Sequence, residues 1–323
     1  MKRIKLLIAI SVISVLIATF SSHFLTKKEE KVIRFGELAF PIVPFLPMYV
    51  AKCNNFFTEE GLKVEFVPSP HEGYMLSLVR GGKLDGGYVA STAQIMALSE
   101  NIPIKSVCGA GKMTKENPQY ALVVRNDSTI LSLQDIKGKT IGGMNKNVII
   151  NIIFDIYLHQ HNMSLLDVNM LEIGHPVRIL EGIQSGSLDG GIVGDVHVAS
   201  APMYNGRVLF WFGDAIPDVE QSYIFFTREF TEKHPELIFK FLKVWMKSIN
   251  FTKTHREEAA ECMSNLTGIP KEAILSAPWI EWEEDCRMNI TAQEELKNEM
   301  LKLGYITRDI DIRELIDLSY VGP

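Results

Sequence analysis

The chain has 323 residues, 46% of them hydrophobic and 22% charged, with a formal net charge of −6. That is enough apolar material for a substantial core, and the length suggests two domains or one domain in two lobes. The composition excludes a disordered chain, and a mildly acidic balance without basic runs excludes the electrostatic footprint of a nucleic-acid binder.

The N-terminus joins three basic residues, Lys2, Arg3 and Lys5, to an uncharged apolar run of 15 residues from Leu6 to Phe20. A spanning helix needs about 20 such residues, so the run predicts a cleaved signal over 1–21, with a retained membrane anchor as the alternative. A charged spacer, 22–31, follows. Cys53, Cys108, Cys262 and Cys286 fit no metal-binding spacing. Buried thiols are the plain expectation for them, and a Cys262–Cys286 pair across two late helices is the alternative for an exported chain.

VIRFG (32–36) predicts a first strand. A helical face through Tyr49, Val50 and Phe56 or Phe57 follows, then the alternating strand LKVEFV and a helix striped by Tyr74, Met75, Leu78 and Val79. GYVA predicts a short strand leading into Ser91-Thr92-Ala93-Gln94, whose spacing is that of a capping box. IKSVCGAG closes this unit. KTIGG, a helix through Ile149, Ile153 and Ile156, the strand VNMLEI and a helix through Val177, Leu180 and Ile183 then repeat the pattern.

Sliding the chain on itself by 104 residues pairs His71 with His175, Gly82 with Gly186, and Leu84-Asp85-Gly86-Gly87 with Leu188-Asp189-Gly190-Gly191. Alternating strands and helices of this length predict an α/β fold with mostly parallel sheets covered on both faces. The apolar strands Tyr120–Ser128 and Gln221–Phe230 suit a chain that leaves one lobe, builds a second and returns. The expected lobes are 32–118 with 222–323, and 119–221. The late helices are HPELIFKFLKVWMKSI, with Pro235 at its first position, and REEAAECMSNLTG.

The segments VIRFGELAFPIVPFLPMYVAKCNNFFTEEGLKVEFV, GGKLDGGYVAS, LQDIKGKTIGG and FTREFTEKHPELIFKFLK, taken in order, resemble the nitrate/sulfonate/taurine and thiamine-precursor group of solute-binding proteins that serve ABC importers. The resemblance implies a type II periplasmic-binding fold, two lobes closing on a small solute, and delivery to an ABC permease driven by a separate ATPase. Many relatives carry a tryptophan-acid-proline segment where this chain has GDVHV.

Ligands of open parallel sheets lie beyond the carboxyl ends of the strands, which makes Ser91 and Thr92 in the first copy, and Asp195 and His197 in the second, the leading candidates. Ser91 and Asp195 also read as helix caps, a role that does not exclude ligand contact. Asn145 and Asn147, after Gly142 and Gly143, open a second helix end suited to an anion. Glu37 and Asp195 would bring two carboxylates to strand ends, favouring a solute with an amine or amino-ring edge over a bare anion. Phe40, Phe45 and Tyr74 are candidates for an aromatic wall, with core packing as their ordinary role. His175 and His197 fall at predicted strand ends in the second copy, with a solvated loop histidine as the ordinary outcome, and His71 is the first copy's match to His175; Lys112 can offset an anion or face water, and His159 and His161 diverge on one helix. No nucleophile-base pattern, phosphate loop or zinc signature is present. The expectation is therefore a monomeric, exported solute-binding protein without cofactor or metal, with a ligand-sensing receptor component or an enzyme on the same fold as alternatives.

Overall fold

The computed structural model describes residues 31–320, so the N-terminal apolar run lies outside the described residues. Ten strands form two five-stranded sheets. The first contains β1 (Val32–Leu38), β2 (Lys63–Ser69), β3 (Gly86–Ala90), β4 (Ile104–Lys112) and β10 (Glu220–Thr227), in the order β2-β1-β3-β10-β4. The second contains β5 (Tyr120–Arg125), β6 (Thr140–Gly143), β7 (Asn169–Glu172), β8 (Gly190–Gly194) and β9 (Gly206–Trp211), in the order β7-β6-β8-β5-β9. The two orders are the same pattern. Each sheet accepts one strand from a crossing segment: β10 runs antiparallel to β3 and β4, and β5 antiparallel to β8 and β9.

The repeated phrase has matching local roles. Gly82 and Gly186 take φ of 63° and 77°, a left-handed conformation that costs glycine little. Leu84 and Leu188 are buried under the turns. The Asp85 carboxylate accepts the Arg34 backbone N–H at 2.8 Å, and the Asp189 carboxylate accepts that of Thr140 at 2.8 Å. Each aspartate thereby ties the entry of a central strand to its parallel neighbour. The registers Phe35 with Gly86 and Ile141 with Gly190 follow.

The helix Pro235–Thr254 covers one face of the first sheet, burying Ile238, Phe241, Leu242, Trp245 and Ile249 at three- and four-residue spacing. Phe241 stacks on Phe35 of β1 with ring centroids 4.7 Å apart. Each such side chain contributes roughly 1.5–3 kcal/mol on burial. The other late helix spans Arg256–Thr267 and ends at Gly268 in the left-handed region.

Three local expectations are corrected. Cys286 pairs with Cys108, not Cys262. After the helix Lys271–Ser276 the chain is irregular and returns along the edge of β4, where the Lys112 backbone N–H donates to Glu281 O at 3.0 Å and that of Gly109 to Cys286 O at 3.3 Å. That path brings Cys286 to β4. The helical face expected through Tyr49 and Phe57 is broken into Leu46–Cys53 and Phe56–Glu59 by Asn55, which has φ 57°. No capping box forms at Ser91: the cap is Ala90, and Gln94 turns inward to Gln293 and Ser106.

Candidate functional site

The carboxyl ends of β3 and β8 face a cleft of about 790 Å³, counted with its open mouth. From the first sheet and the helix after β2 come Glu72, Tyr88, Ala90, Gln221 and Ser222; from the second sheet and the segments after its strands come Tyr120, Asn145, Gly194, Asp195 and His197. Leu38, Ile42, Val148, Ile149 and Ile192 supply apolar wall. A neighbouring hollow of about 980 Å³ shares His71, Glu72, Asn145 and Val148 with it, and Asn147 lines that hollow alone.

Two buried carboxylates dominate the electrostatics. Glu72 opens the helix Glu72–Arg80 and accepts the Ala90 N–H at 2.9 Å. Burial pushes its pKa up to about 7, with that hydrogen bond acting the other way. Asp195 is raised to about 6, also by burial, against hydrogen bonds from the Val196 and Val43 N–H groups. Val43 belongs to the segment after β1, so Asp195 spans from the second sheet's side of the cleft to the first. Among the described residues neither carboxylate has an ion-pair partner.

Asp195 is not the cap that its sequence position predicts. Gly194 caps the helix Asp195–Ser200, and Asp195 holds φ at 32° while its N–H donates to Gln119 O at 2.9 Å. That strained backbone directs a carboxylate into a poorly solvated site. His197 is driven down to about 4 by burial and by the neighbouring His175, so it is a neutral hydrogen-bonding group at neutral pH. Gln221 donates to the Tyr120 hydroxyl at 3.0 Å and accepts from Ser222 Oγ, while Tyr88 donates to Pro44 O at 3.0 Å. Gln221 thereby links Tyr120 on one side of the cleft to Ser222 on the other.

The other predicted residues divide. Phe40, His71, Asn145, Asp195 and His197 line the cleft. Ser91 and Thr92 follow Ala90, are fully buried and do not line the cleft, and among the described residues neither hydroxyl has a hydrogen-bond partner. Asn147 is exposed at the rim of the adjoining hollow. The helix expected to open there begins only at Ile149, because Asn151 bonds back to Met144 through both side-chain atoms. Glu37 is drawn instead to Lys52, whose ammonium also sits 3.8 Å from the Phe66 ring centre. Its charge is answered between β1 and the helix Leu46–Cys53 that follows it. Phe45 is core, packed edge-on to Tyr49 and Tyr88. Tyr74 is 46% exposed and meets only the edge of His71. His175 is exposed, and Lys112 pairs with Glu283 at 3.1 Å and Glu281 at 3.6 Å on the far edge of β4.

Glu72, Tyr88, Tyr120, Gln221 and Ser222 escaped the sequence reading. An acid in the first turn of a helix ordinarily faces water and complements the dipole, so nothing local marks Glu72 as buried. Gln221 and Ser222 carried a signal: they are the polar start of an otherwise apolar crossing strand.

With the cleft described, likeness to known proteins becomes informative. The family model described as NMT1/THI5 like matches residues 43–259, well over half of the chain. The chain belongs to that family. A Bacillus subtilis (strain 168) protein named for binding aliphatic sulfonates is 22% identical over 284 residues, covering 85% of this chain and 83% of that protein. The 4-amino-5-hydroxymethyl-2-methylpyrimidine phosphate synthase of Aspergillus parasiticus is 29% identical over 147 residues, which is 45% of this chain and 41% of the synthase. The crystal structure of the periplasmic aliphatic sulphonate binding protein SsuA from Escherichia coli superposes with a TM-score of 0.74 at 19% identity, covering 88% of this chain and 97% of that one. The fold is thus that of the periplasmic binding proteins. Among the described residues no helix is long and apolar enough to cross a membrane.

Proposed function

We propose that this family member is an exported solute-binding protein that captures a small polar organic molecule bearing an amine or amino-ring edge. Two lobes, 32–118 with 222–323 and 119–221, close on the solute and present it to an ABC permease with its ATPase. The observation that carries the reading of ligand charge is the pair Glu72 and Asp195, buried in a largely apolar cleft without a cationic side chain beside them. An ionised carboxylate in such a place is unfavourable until a cation or donor joins it. A bare anion such as nitrate makes that worse. A protonated amine, or the amino edge of a pyrimidine, supplies what both carboxylates lack, while the unpartnered hydroxyls of Ser91 and Thr92, buried directly behind the cleft-lining Ala90, would take up an oxyanion or ring acceptor of the same solute as the lobes close on it. Aminosulfonates and aminopyrimidines meet both demands.

The test is a thermal-shift panel on the exported fragment, followed by calorimetry of the hits. At about 100 times its dissociation constant a ligand stabilises by about 2.7 kcal/mol, a readily measured shift. Amine-bearing sulfonates or aminopyrimidines should dominate, and mass spectrometry should return the solute unchanged after incubation. Nitrate or simple alkanesulfonates outcompeting every amine-bearing compound would overturn the charge reading, and a chemically altered solute would overturn the assignment as a binding protein.

A further inference from the structure

Pairing Cys108 with Cys286 leaves Cys53 and Cys262 as thiols, neither of them in the cleft lining. Cys53 is the last residue of the helix Leu46–Cys53, and Cys262 lies in the helix Arg256–Thr267. These helices pack together through a core that includes Met48, Ala51, Ala259 and Met263. The contact brings the two thiols within hydrogen-bonding reach of one another. Cys53 is exposed and Cys262 half-buried. Two helices held by a shared core thus present a pair of sulfurs side by side, one of them open to a reagent in solution.

We propose that Cys53 and Cys262 are a redox-active dithiol that closes to a second disulfide by exchange with a disulfide-bearing oxidant. Thiolate is the attacking species in such exchange. Burial, then the hydrogen bond to Cys53 and the charges of Glu258 and Glu261, push the Cys262 thiol up to about 12, which leaves the exposed Cys53 to attack first. Cys53 loses its proton to solvent, bonds to one sulfur of the oxidant and expels the other as a thiolate. Cys262 then gives up its proton and attacks Cys53 Sγ, releasing the oxidant's remaining sulfur as a second thiolate. Two S–H bonds of the protein and one S–S bond of the oxidant are exchanged for one protein S–S bond and two thiols, so two electrons and two protons pass to the oxidant. The new bond pins the end of the helix whose Lys52 holds Glu37 and whose preceding segment supplies the Val43 N–H to Asp195.

The test uses the full chain with oxidised glutathione, followed by alkylation under denaturing conditions and digestion without reduction. The expected product is a cross-linked peptide joining Cys53 to Cys262 beside the one joining Cys108 to Cys286. In Cys262→Ser, Cys53 should stop as a stable mixed disulfide with glutathione; in Cys53→Ser, Cys262 should remain a free thiol. Glutathione retained on Cys53 in the unsubstituted chain, alkyl label on both cysteines, or a cross-link from either to Cys108 or Cys286 would overturn the proposal. The principal reading needs no substitution, so a poorly folding variant does not blunt it.

Discussion

The two copies of Leu-Asp-Gly-Gly do the same work until their strands end, and then they diverge. At an offset of 104, Ser91 stands where the second copy has Asp195, and Glu72 where the second copy has Pro176. The first copy therefore brings to the cleft a carboxylate from the adjacent helix, with two neutral hydroxyls buried behind its Ala90 lining. The second meets it with a carboxylate on a left-handed backbone and a neutral histidine. The turn, the buried leucine and the aspartate that ties parallel strands recur because the sheet needs them twice. The cleft chemistry does not recur, and under the proposed function that asymmetry would let one solute be held by unlike groups at its two ends.

The largest effect should come from the position at which the copies differ most. Asp195→Asn should weaken an amine-bearing solute by about ten- to a hundredfold, since hydrogen bonds to charged groups contribute about 1.5–3 kcal/mol and 1.4 kcal/mol is tenfold. Glu72→Gln should act in the same direction. Both substitutions should leave the solute-free protein no less stable at neutral pH, because each removes a charge that burial disfavours. Calorimetry and chemical denaturation read the two effects separately. Tighter solute binding by Asp195→Asn would break the comparison.

The shared scaffold can be sharpened at its glycines. A Cβ at Gly86 would lie 2.5 Å from Phe226 Cδ1 and 2.6 Å from Phe225 O, whereas at Gly190 the nearest atom, Val123 O, is 3.1 Å away. Gly86→Ala should cost about 2 kcal/mol, within the usual range for overpacking, and Gly190→Ala distinctly less. Equal losses in denaturant midpoints would mean that the two central strands are equally crowded.

What the sequence disclosed follows the same division. The alternation of strands and helices and the turn at Gly82 and Gly186 were legible because each rests on local periodicity or on a glycine conformation that the repeat states twice, whereas the strand order was not stated by any local pattern. The site was legible only in part. Asp195 and His197 follow the phrase directly, so position alone marked them. Glu37 looked equivalent to Asp195 as an acid at a strand end, but a lysine one helix away, Lys52, claims it. Glu72 looked solvent-facing because no sequence pattern reveals that its helix start turns toward the Ala90 N–H. The cysteine pairing was hidden for a related reason, since it depends on an irregular return path along β4.

The two carboxylates also make a pH comparison between solute classes. Both titrate higher in the folded chain than their ordinary values of 4.5 and 3.8. Folding therefore favours their protonated forms: the stability they contribute to the solute-free protein is present below those ordinary values and lost as pH rises through about 6 for Asp195 and about 7 for Glu72. An amine-bearing solute needs them ionised, so its affinity should rise over the same window, by up to about tenfold per pH unit for each carboxylate below its own titration, while an anion's should fall. Isothermal titration across that window, with Glu72→Gln as the reference, checks the sign. A parallel rise for both solute classes would place the titration elsewhere.

The smallest effects should appear at the neutral end of the comparison. Ser91 and Thr92 are fully buried with unpartnered hydroxyls, so Ser91→Ala and Thr92→Val remove groups whose desolvation is uncompensated in the solute-free chain. Each should change solute-free stability by no more than about 0.5 kcal/mol, or raise it slightly, where loss of a satisfied buried hydroxyl would cost about 1–3 kcal/mol. Solute affinity should nevertheless fall severalfold in each, less than for Asp195→Asn, because a neutral hydrogen bond is about half as strong as a charged one. The pair of readouts separates the two roles that the helix start admits. Lower stability with unchanged affinity would make the hydroxyls purely structural; unchanged stability with weaker binding would make Ser91 the first copy's counterpart to Asp195, holding the uncharged end of the solute.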